Sequence, residues 1–143
     1  MKILLTGATG YIAQRLLPVL LDQGHQVICC VRDKKRFNDH NYHSENLSLI
    51  EAEFLNKESL KNIPDDIDVA YYLIHSMSSQ SGDFEKMEQE CADNFKERIQ
   101  ETSSKQVVYL SGIINETQLS KHLSSRKQVE DILSESTLSL IHT

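Results

Sequence analysis

Apolar and polar positions along this chain alternate between two patterns. Short apolar runs, too short for helices, are separated by segments whose apolar residues recur at helical spacing. Continuous apolar runs are typical of parallel strands that are covered on both faces. The pattern predicts strands at 3–5, 27–31, 47–50, 68–74, 107–110 and 137–141, and helices at 11–23, 57–62, 83–102 and 120–134.

This alternation predicts an α/β fold in which helices cover both faces of a parallel sheet. Because crossovers between parallel strands are right-handed, the expected arrangement is a doubly wound Rossmann fold with about six strands in the order 3-2-1-4-5-6. The 143 residues fit one domain, 1–143. Within the first helix, Pro18 removes one hydrogen bond without having to end the helix, and Gly24 is placed to close it.

A glycine-rich turn joins the first strand to the first helix. Gly7 permits backbone angles that a side chain would forbid, and Gly10 lets the backbone approach a pyrophosphate closely. The N–H groups that begin the helix attract an anion, and Ala13 is small enough for the helix to pack on the strand. The alternative is a turn that only connects two elements. The predicted cofactor contacts in this segment are Gly7, Thr9, Gly10, Tyr11 and Ile12.

Charged residues follow the second strand, where the adenosine ribose of a dinucleotide would lie. A carboxylate there would accept from the ribose hydroxyls and favour NAD, whereas a cation would pair with a 2′-phosphate and favour NADP. Arg32 comes first, with Lys35 and Arg36 nearby, so NADP is the favoured cofactor and NAD the less favoured one. Asp33 argues for NAD. The alternative interpretation of the whole charged run is a solvated basic start to a helix.

Three further residues are candidates because they follow predicted strands at the edge that lines the ligand crevice. Glu53 could reach the adenine amino group or be a surface carboxylate, and Phe54 adjoins it. His75 follows the apolar fourth strand; it either contacts the ligand or anchors its own loop by hydrogen bonds.

Composition excludes several classes of protein. The net charge is −6 with charges of both signs interspersed, so no nucleic-acid partner is expected. No apolar run approaches the roughly 20 residues that span a bilayer, so no membrane partner is expected. Three cysteines without a disulfide or metal-ligand spacing, and a first strand that begins at once, predict a cytoplasmic protein without a metal site.

Several motifs in order resemble the short-chain dehydrogenase/reductase superfamily, in its atypical NAD(P)-binding branch near NmrA-like and NAD-dependent epimerase/dehydratase proteins. The resemblance covers the whole chain. The motifs are TGATGYIA at 6–13, VRD at 31–33, YYLIHSM at 71–77, YLSG at 109–112 and HLSSRKQVE at 122–130.

The resemblance also implies catalytic positions. Catalytic members have a Ser after strand five and a Tyr-x-x-x-Lys pair on the next helix. Ser111 matches the Ser, while His122 stands in place of the Tyr and Arg126 in place of the Lys. Histidine can perform acid–base chemistry near neutral pH, and arginine can hold ribose hydroxyls. The alternatives are a solvent-facing His122 and an ion pair between Arg126 and Glu130.

Members of this superfamily usually continue beyond the sixth strand, where much of the substrate pocket is built. The resemblance therefore implies a cofactor-binding domain that lacks the C-terminal substrate segment, with an open edge that favours self-association into a homo-oligomer. The first functional hypothesis is an NADP-dependent oxidoreductase acting on an unknown small molecule. The second is a non-catalytic NADP(H) sensor of NmrA type, and the third is a self-associating fragment.

Overall fold

A computed structural model describes residues 1–37, 42, 44–74, 84–110, 121–134 and 139–142, with the backbone alone at 84, 121–126 and 139–142. The strands are β1 (Lys2–Leu5), β2 (Gln26–Val31), β3 (Leu47–Glu51), β4 (Val69–Tyr72), β5 (Gln106–Tyr109) and β6 (Ser139–His142). The helices are α1 (Tyr11–Asp22), α2 (Phe84–Gln100) and α3 (Lys121–Ser134). Two 3₁₀ helices span Lys34–Arg36 and Lys57–Asn62.

The strands form one six-stranded sheet in the order β3-β2-β1-β4-β5-β6, and each neighbouring pair is parallel. The predicted fold class and strand order are therefore confirmed. The order reverses between β1 and β4, where Ile3 pairs with Val69 and Leu5 with Tyr71. In doubly wound folds a ligand crevice opens beyond the carboxyl ends of strands at such a point.

Apolar side chains fill a core layer on each face of the sheet. In β1, Leu4 belongs to one layer while Ile3 and Leu5 belong to the other, as the twofold alternation of a strand requires. Helix α1 packs on the layer that contains Ile3 and Leu5. Helices α2 and α3 pack on the opposite layer, which has a buried centre of four aromatic rings: Phe54, Tyr72, Phe95 and Tyr109.

The two features expected of α1, a proline within the helix and a glycine that closes it, are both present. Pro18 lies within the helix, which continues to Asp22. Beyond its end, Gly24 has a φ of +83°, its N–H donates to Leu21, and the N–H of His25 donates to Leu20. These two bonds form a Schellman motif, which satisfies carbonyl groups at the helix end.

Several element boundaries differ from the prediction. The fourth strand ends at Tyr72 instead of residue 74, because the Leu73 N–H donates to the Thr6 hydroxyl at 3.2 Å instead of continuing the ladder. The predicted helix at 57–62 is a 3₁₀ helix, whose start is capped by the Asn56 side chain. The fifth strand begins one residue earlier than predicted, and the sixth spans Ser139–His142 instead of 137–141.

Candidate dinucleotide-binding site

Gly7 occupies a position that other residues cannot fill without moving the backbone. Its φ is +63°, in the left-handed region that favours glycine. A Cβ atom built on Gly7 would lie 2.8 Å from the carbonyl carbon of Leu73, and closer still to its oxygen. The turn after β1 therefore lies directly against the backbone that leaves β4, at the mouth of the crevice.

Gly10 prepares the start of α1 for an anion. It is the N-cap residue, with extended backbone and no side-chain cap, and its N–H donates to Gly7 at 2.9 Å. The first helical bond runs from the Gln14 N–H to the Gly10 carbonyl at 3.0 Å. The N–H groups of residues 11–13 lie before this bond, in the part of a helix whose N–H groups have no helical acceptor. The first turn carries no acidic residue, and its amides and helix dipole suit a phosphate group.

The other predicted residues of this turn lie around the same opening. Thr9 is exposed, and its carbonyl accepts from the Gln14 side chain at 3.1 Å. Tyr11 is 69% exposed, with the Arg15 guanidinium 4.4 Å from the centre of its ring, and Ile12 is also exposed. Ala13 is buried against the sheet, as its small size predicted.

Thr6 is a site-forming residue that sequence reasoning missed. It is fully buried, and its hydroxyl donates to the Tyr71 carbonyl at 2.7 Å and accepts from the Leu73 N–H at 3.2 Å. The hydroxyl thus fastens the end of β1 to the end of β4 and fixes the backbone that Gly7 touches. The only sequence signal is a polar residue placed directly between a buried strand and its glycine turn.

At the end of β2, Arg32 and Asp33, which argued for different cofactors, differ in whether the side chain bonds to the backbone. Arg32 is exposed. Asp33 is the N-cap of the 3₁₀ helix Lys34–Arg36, and its carboxylate accepts from the Lys35 N–H at 2.9 Å. The Glu51 carboxylate, at the end of β3, accepts from the Lys34 N–H at 3.1 Å. Both carboxylates therefore hold the backbone of this cationic turn.

Charges from neighbouring strand ends converge near Cys91 of α2. Burial, together with Glu53 and two glutamates of α2, raises the pKa of the Cys91 thiol to about 11, and Arg32 acts in the opposite direction. Arg32 follows β2 and Glu53 follows β3, so both lie beyond the carboxyl edge of the sheet and both influence the Cys91 thiol electrostatically. Glu53 is exposed, and its backbone N–H donates to Ser59 at 2.8 Å.

Phe54 has a structural role in this region. Its side chain is buried, with ring centres 5.8 Å from Phe95 and 6.5 Å from Tyr72. Its carbonyl accepts from the buried Asn94 side chain of α2 at 2.6 Å. A contact from Phe54 to a cofactor would therefore come from its backbone, which α2 holds in place.

The remaining predicted site residues are described only in part. His75 and Ser111 lie outside the described residues. The backbone positions of His122 and Arg126 lie in α3, four residues and about one turn apart. Among the residues that the structure describes, no group of three or more His, Cys, Asp or Glu side chains could hold a metal ion.

The fold and the glycine turn define a dinucleotide-binding Rossmann domain. The sequence matches the NAD(P)H-binding family over residues 7–139, and the chain belongs to that family. Its resemblance to the atypical branch of the short-chain dehydrogenase/reductase superfamily is confirmed. No curated protein was found to match the sequence.

Solved structures share the fold at low identity. A nucleoside-diphosphate-sugar epimerase from Staphylococcus aureus has a TM-score of 0.80 at 16% identity, covering 99% of this chain and 49% of its own. The Citrobacter triphenylmethane reductase complexed with NADP(H) has a TM-score of 0.79 at 14% identity, covering 99% and 48%. The Bordetella bronchiseptica enzyme WbmG in complex with NAD has a TM-score of 0.78 at 15% identity, covering 99% and 52%. The chain therefore spans about half the length of these proteins.

These structures include complexes with NAD and with NADP(H). The family match supports a nicotinamide dinucleotide without deciding which one. In the part of the chain that the structure describes, no helix is both long enough and apolar enough to cross a membrane.

Proposed function

We propose that residues 1–143 form one NADP-binding domain of an oxidoreductase that acts on an unknown small molecule. The observation that carries the cofactor choice is the arrangement after β2. Arg32 is exposed, whereas the competing carboxylate of Asp33 already accepts from the Lys35 N–H. A cationic turn, Lys34–Arg36, adjoins it. This arrangement suits a 2′-phosphate better than a free ribose hydroxyl pair.

The pyrophosphate would lie against the turn after β1, where the amides of residues 11–13 open onto the crevice. NADPH would supply the hydride when bound. In this proposal Arg126 holds the nicotinamide ribose, Ser111 holds the substrate oxygen, and His122 gives or takes its proton. His75 and Glu53 line the same crevice, with Glu53 directed at the adenine amino group.

A sensor that binds NADP(H) without chemistry is the second candidate. It is favoured by one specific observation: His122 and Arg126 replace the Tyr and Lys of catalytic relatives. Such a protein, of NmrA type, would report the ratio of NADP to NADPH to a partner. Both candidates place the protein in a reducing cytoplasm, in accord with three buried thiols.

Titration of the purified chain with NADPH and with NADH, monitored by calorimetry, tests the cofactor proposal. We expect NADPH to bind more tightly, and Arg32→Ala to weaken NADPH by about ten-fold while changing NADH by less than two-fold, because one charge-assisted contact is worth about 1.5 kcal/mol. Lys2→Ala, at the amino end of β1 and in an ion pair with Asp66, is the control for loss of one cation at the opposite edge of the sheet. Equal weakening of NADPH and NADH by Arg32→Ala would refute the preference for NADP.

His122→Ala then separates the two candidates. In an oxidoreductase this substitution should abolish turnover in a substrate screen while the affinity for NADPH stays unchanged. A sensor should show no turnover with either chain.

A further inference from the structure

A carbonyl group in α1 is deprived of its usual helical donor. In an α-helix the carbonyl of residue 14 accepts from the N–H of residue 18. Residue 18 is proline, which has no N–H, so the Gln14 carbonyl lacks this bond although the helix continues past it. This carbonyl lies in the turn of α1 that follows the anion-binding amides.

Tyr42 supplies a donor from a different part of the chain. Its hydroxyl donates to the Gln14 carbonyl at 3.3 Å, across 28 residues of sequence. Its ring stacks against Phe37, with centres 6.2 Å apart and planes inclined by 23°. Phe37 is itself buried in the core layer beneath α1, and its N–H donates to the Lys34 carbonyl to close the cationic turn.

Gln14 extends the connection in the other direction. Its side-chain amide donates to the Thr9 carbonyl within the glycine turn at 3.1 Å. A continuous series of contacts therefore joins the turn that would hold the pyrophosphate to the turn that would hold the 2′-phosphate. The series runs through Thr9, Gln14, Tyr42, Phe37 and Lys34.

We propose that Tyr42 is a positioning residue that fixes the cationic turn after β2 relative to the glycine turn, and so sets the preference for a cofactor with a 2′-phosphate. The inference rests on the proposed NADP binding. A dinucleotide contacts both turns at once, and only a phosphorylated ribose needs the cationic one. Loosening the connection therefore weakens NADPH binding while leaving the pyrophosphate contacts that NADH shares.

Tyr42→Phe tests this role because it keeps the ring stack and removes only the donor. We expect NADPH affinity to fall about five-fold, in line with a single hydrogen bond, and NADH affinity to change by less than two-fold. The adenosine fragment 2′,5′-ADP should weaken like NADPH, and 5′-AMP should not. Val19→Ala, an exposed substitution on the same helix, is the control and should change neither affinity.

Pro18→Ala provides a second test, which distinguishes a positioning role of Tyr42 from a purely structural one. It returns an N–H to the Gln14 carbonyl and makes the helix more stable, but this N–H competes with the Tyr42 hydroxyl for that carbonyl. Pro18→Ala alone should therefore weaken NADPH binding about as much as Tyr42→Phe does, while NADH affinity changes by less than two-fold. In this background Tyr42→Phe should cost less than two-fold in NADPH affinity. An equal cost in both backgrounds, or an equal loss of NADPH and NADH affinity, would overturn the role of Tyr42.

The native chain is titrated first so that the two proposals fail separately. If it does not bind NADPH more tightly than NADH, the NADP proposal is refuted and the role of Tyr42 with it. If it shows the preference but Tyr42→Phe keeps the preference intact, only the role of Tyr42 is refuted. Thermal unfolding of each variant, with a cooperative transition required, confirms that the affinities belong to folded protein.

Discussion

Substituting Gly7 by alanine measures how tightly the turn after β1 is held against β4. Two penalties combine at this position. The φ of +63° costs a residue with a Cβ atom about 1–2 kcal/mol. The Cβ would also lie 2.8 Å from the Leu73 carbonyl carbon, and relief of such overpacking typically costs about 1–3 kcal/mol.

Gly24 offers a matched control inside the same chain. Its φ is +83°, yet a Cβ built on it meets nothing within 4 Å. Gly24→Ala therefore carries the backbone penalty without the collision. Both substitutions reduce the entropy of the unfolded chain equally, so this effect cancels when the two are compared.

We expect Gly7→Ala to lower the free energy of unfolding by about 2–5 kcal/mol and Gly24→Ala by about 1–2 kcal/mol. At about 3 °C per kcal/mol for a chain of this size, the melting temperature should fall by about 6–15 °C and about 3–6 °C respectively. Urea unfolding and thermal unfolding measure the two quantities. Equal losses in the two variants would show that the contact with Leu73 does not constrain the turn.

Three further outcomes are expected. Gly10→Val should leave the fold intact, since the φ of Gly10 is −77° and a Cβ there meets only the Gly7 carbonyl at 3.2 Å. It should weaken the binding of both dinucleotides at least ten-fold, as measured by calorimetry, and unchanged binding would refute the glycine-turn assignment. Asp33→Asn should keep the cap and both affinities, whereas Asp33→Ala should lose about 1 kcal/mol of stability in urea; a selective loss of NADH binding in Asp33→Asn would instead identify a ribose contact. Because burial raises the pKa of Cys29 and Cys30 from 9.0 to about 12, the unfolded thiols ionise first. Stability should therefore be unaffected by these thiols below pH 9 and fall between pH 9 and 12 by up to about 1.4 kcal/mol per pH unit for each thiol; an alkaline loss that persists unchanged in Cys29→Ala would contradict this.

The sheet and its order could be predicted because they depend on local patterns and on chirality. Apolar runs such as 27–31 show fully buried strands directly, and right-handed crossovers then leave few strand orders. The glycine turn was equally readable, since a strand, two glycines and a helix start follow one another within ten residues of the sequence.

What the sequence could not reveal are contacts between distant residues. The Thr6 hydroxyl donates to a carbonyl 65 residues away. It also accepts from the Leu73 N–H, and this second bond is the reason that β4 ends at Tyr72 although its apolar pattern continues to residue 74. Likewise, Asp33 reads as a candidate ribose ligand until its carboxylate is seen to cap a 3₁₀ helix. A short polar side chain can bond its own backbone in many loops, so its type alone does not show which role it has.

Different residues of the chain determine the three parts of this site, which are pyrophosphate binding, cofactor choice and chemistry. In our proposal, pyrophosphate binding depends on backbone amides and on one glycine position that lies against the backbone leaving β4. Cofactor choice, also in our proposal, depends on side chains after β2 and on the hydroxyl of Tyr42. Chemistry would depend on residues 111–126, far along the chain. Because these determinants are separate, an NAD(P)H-binding fold is compatible with either turnover or sensing, and in our proposal the difference between the two depends on His122 and Arg126 and not on the glycine turn.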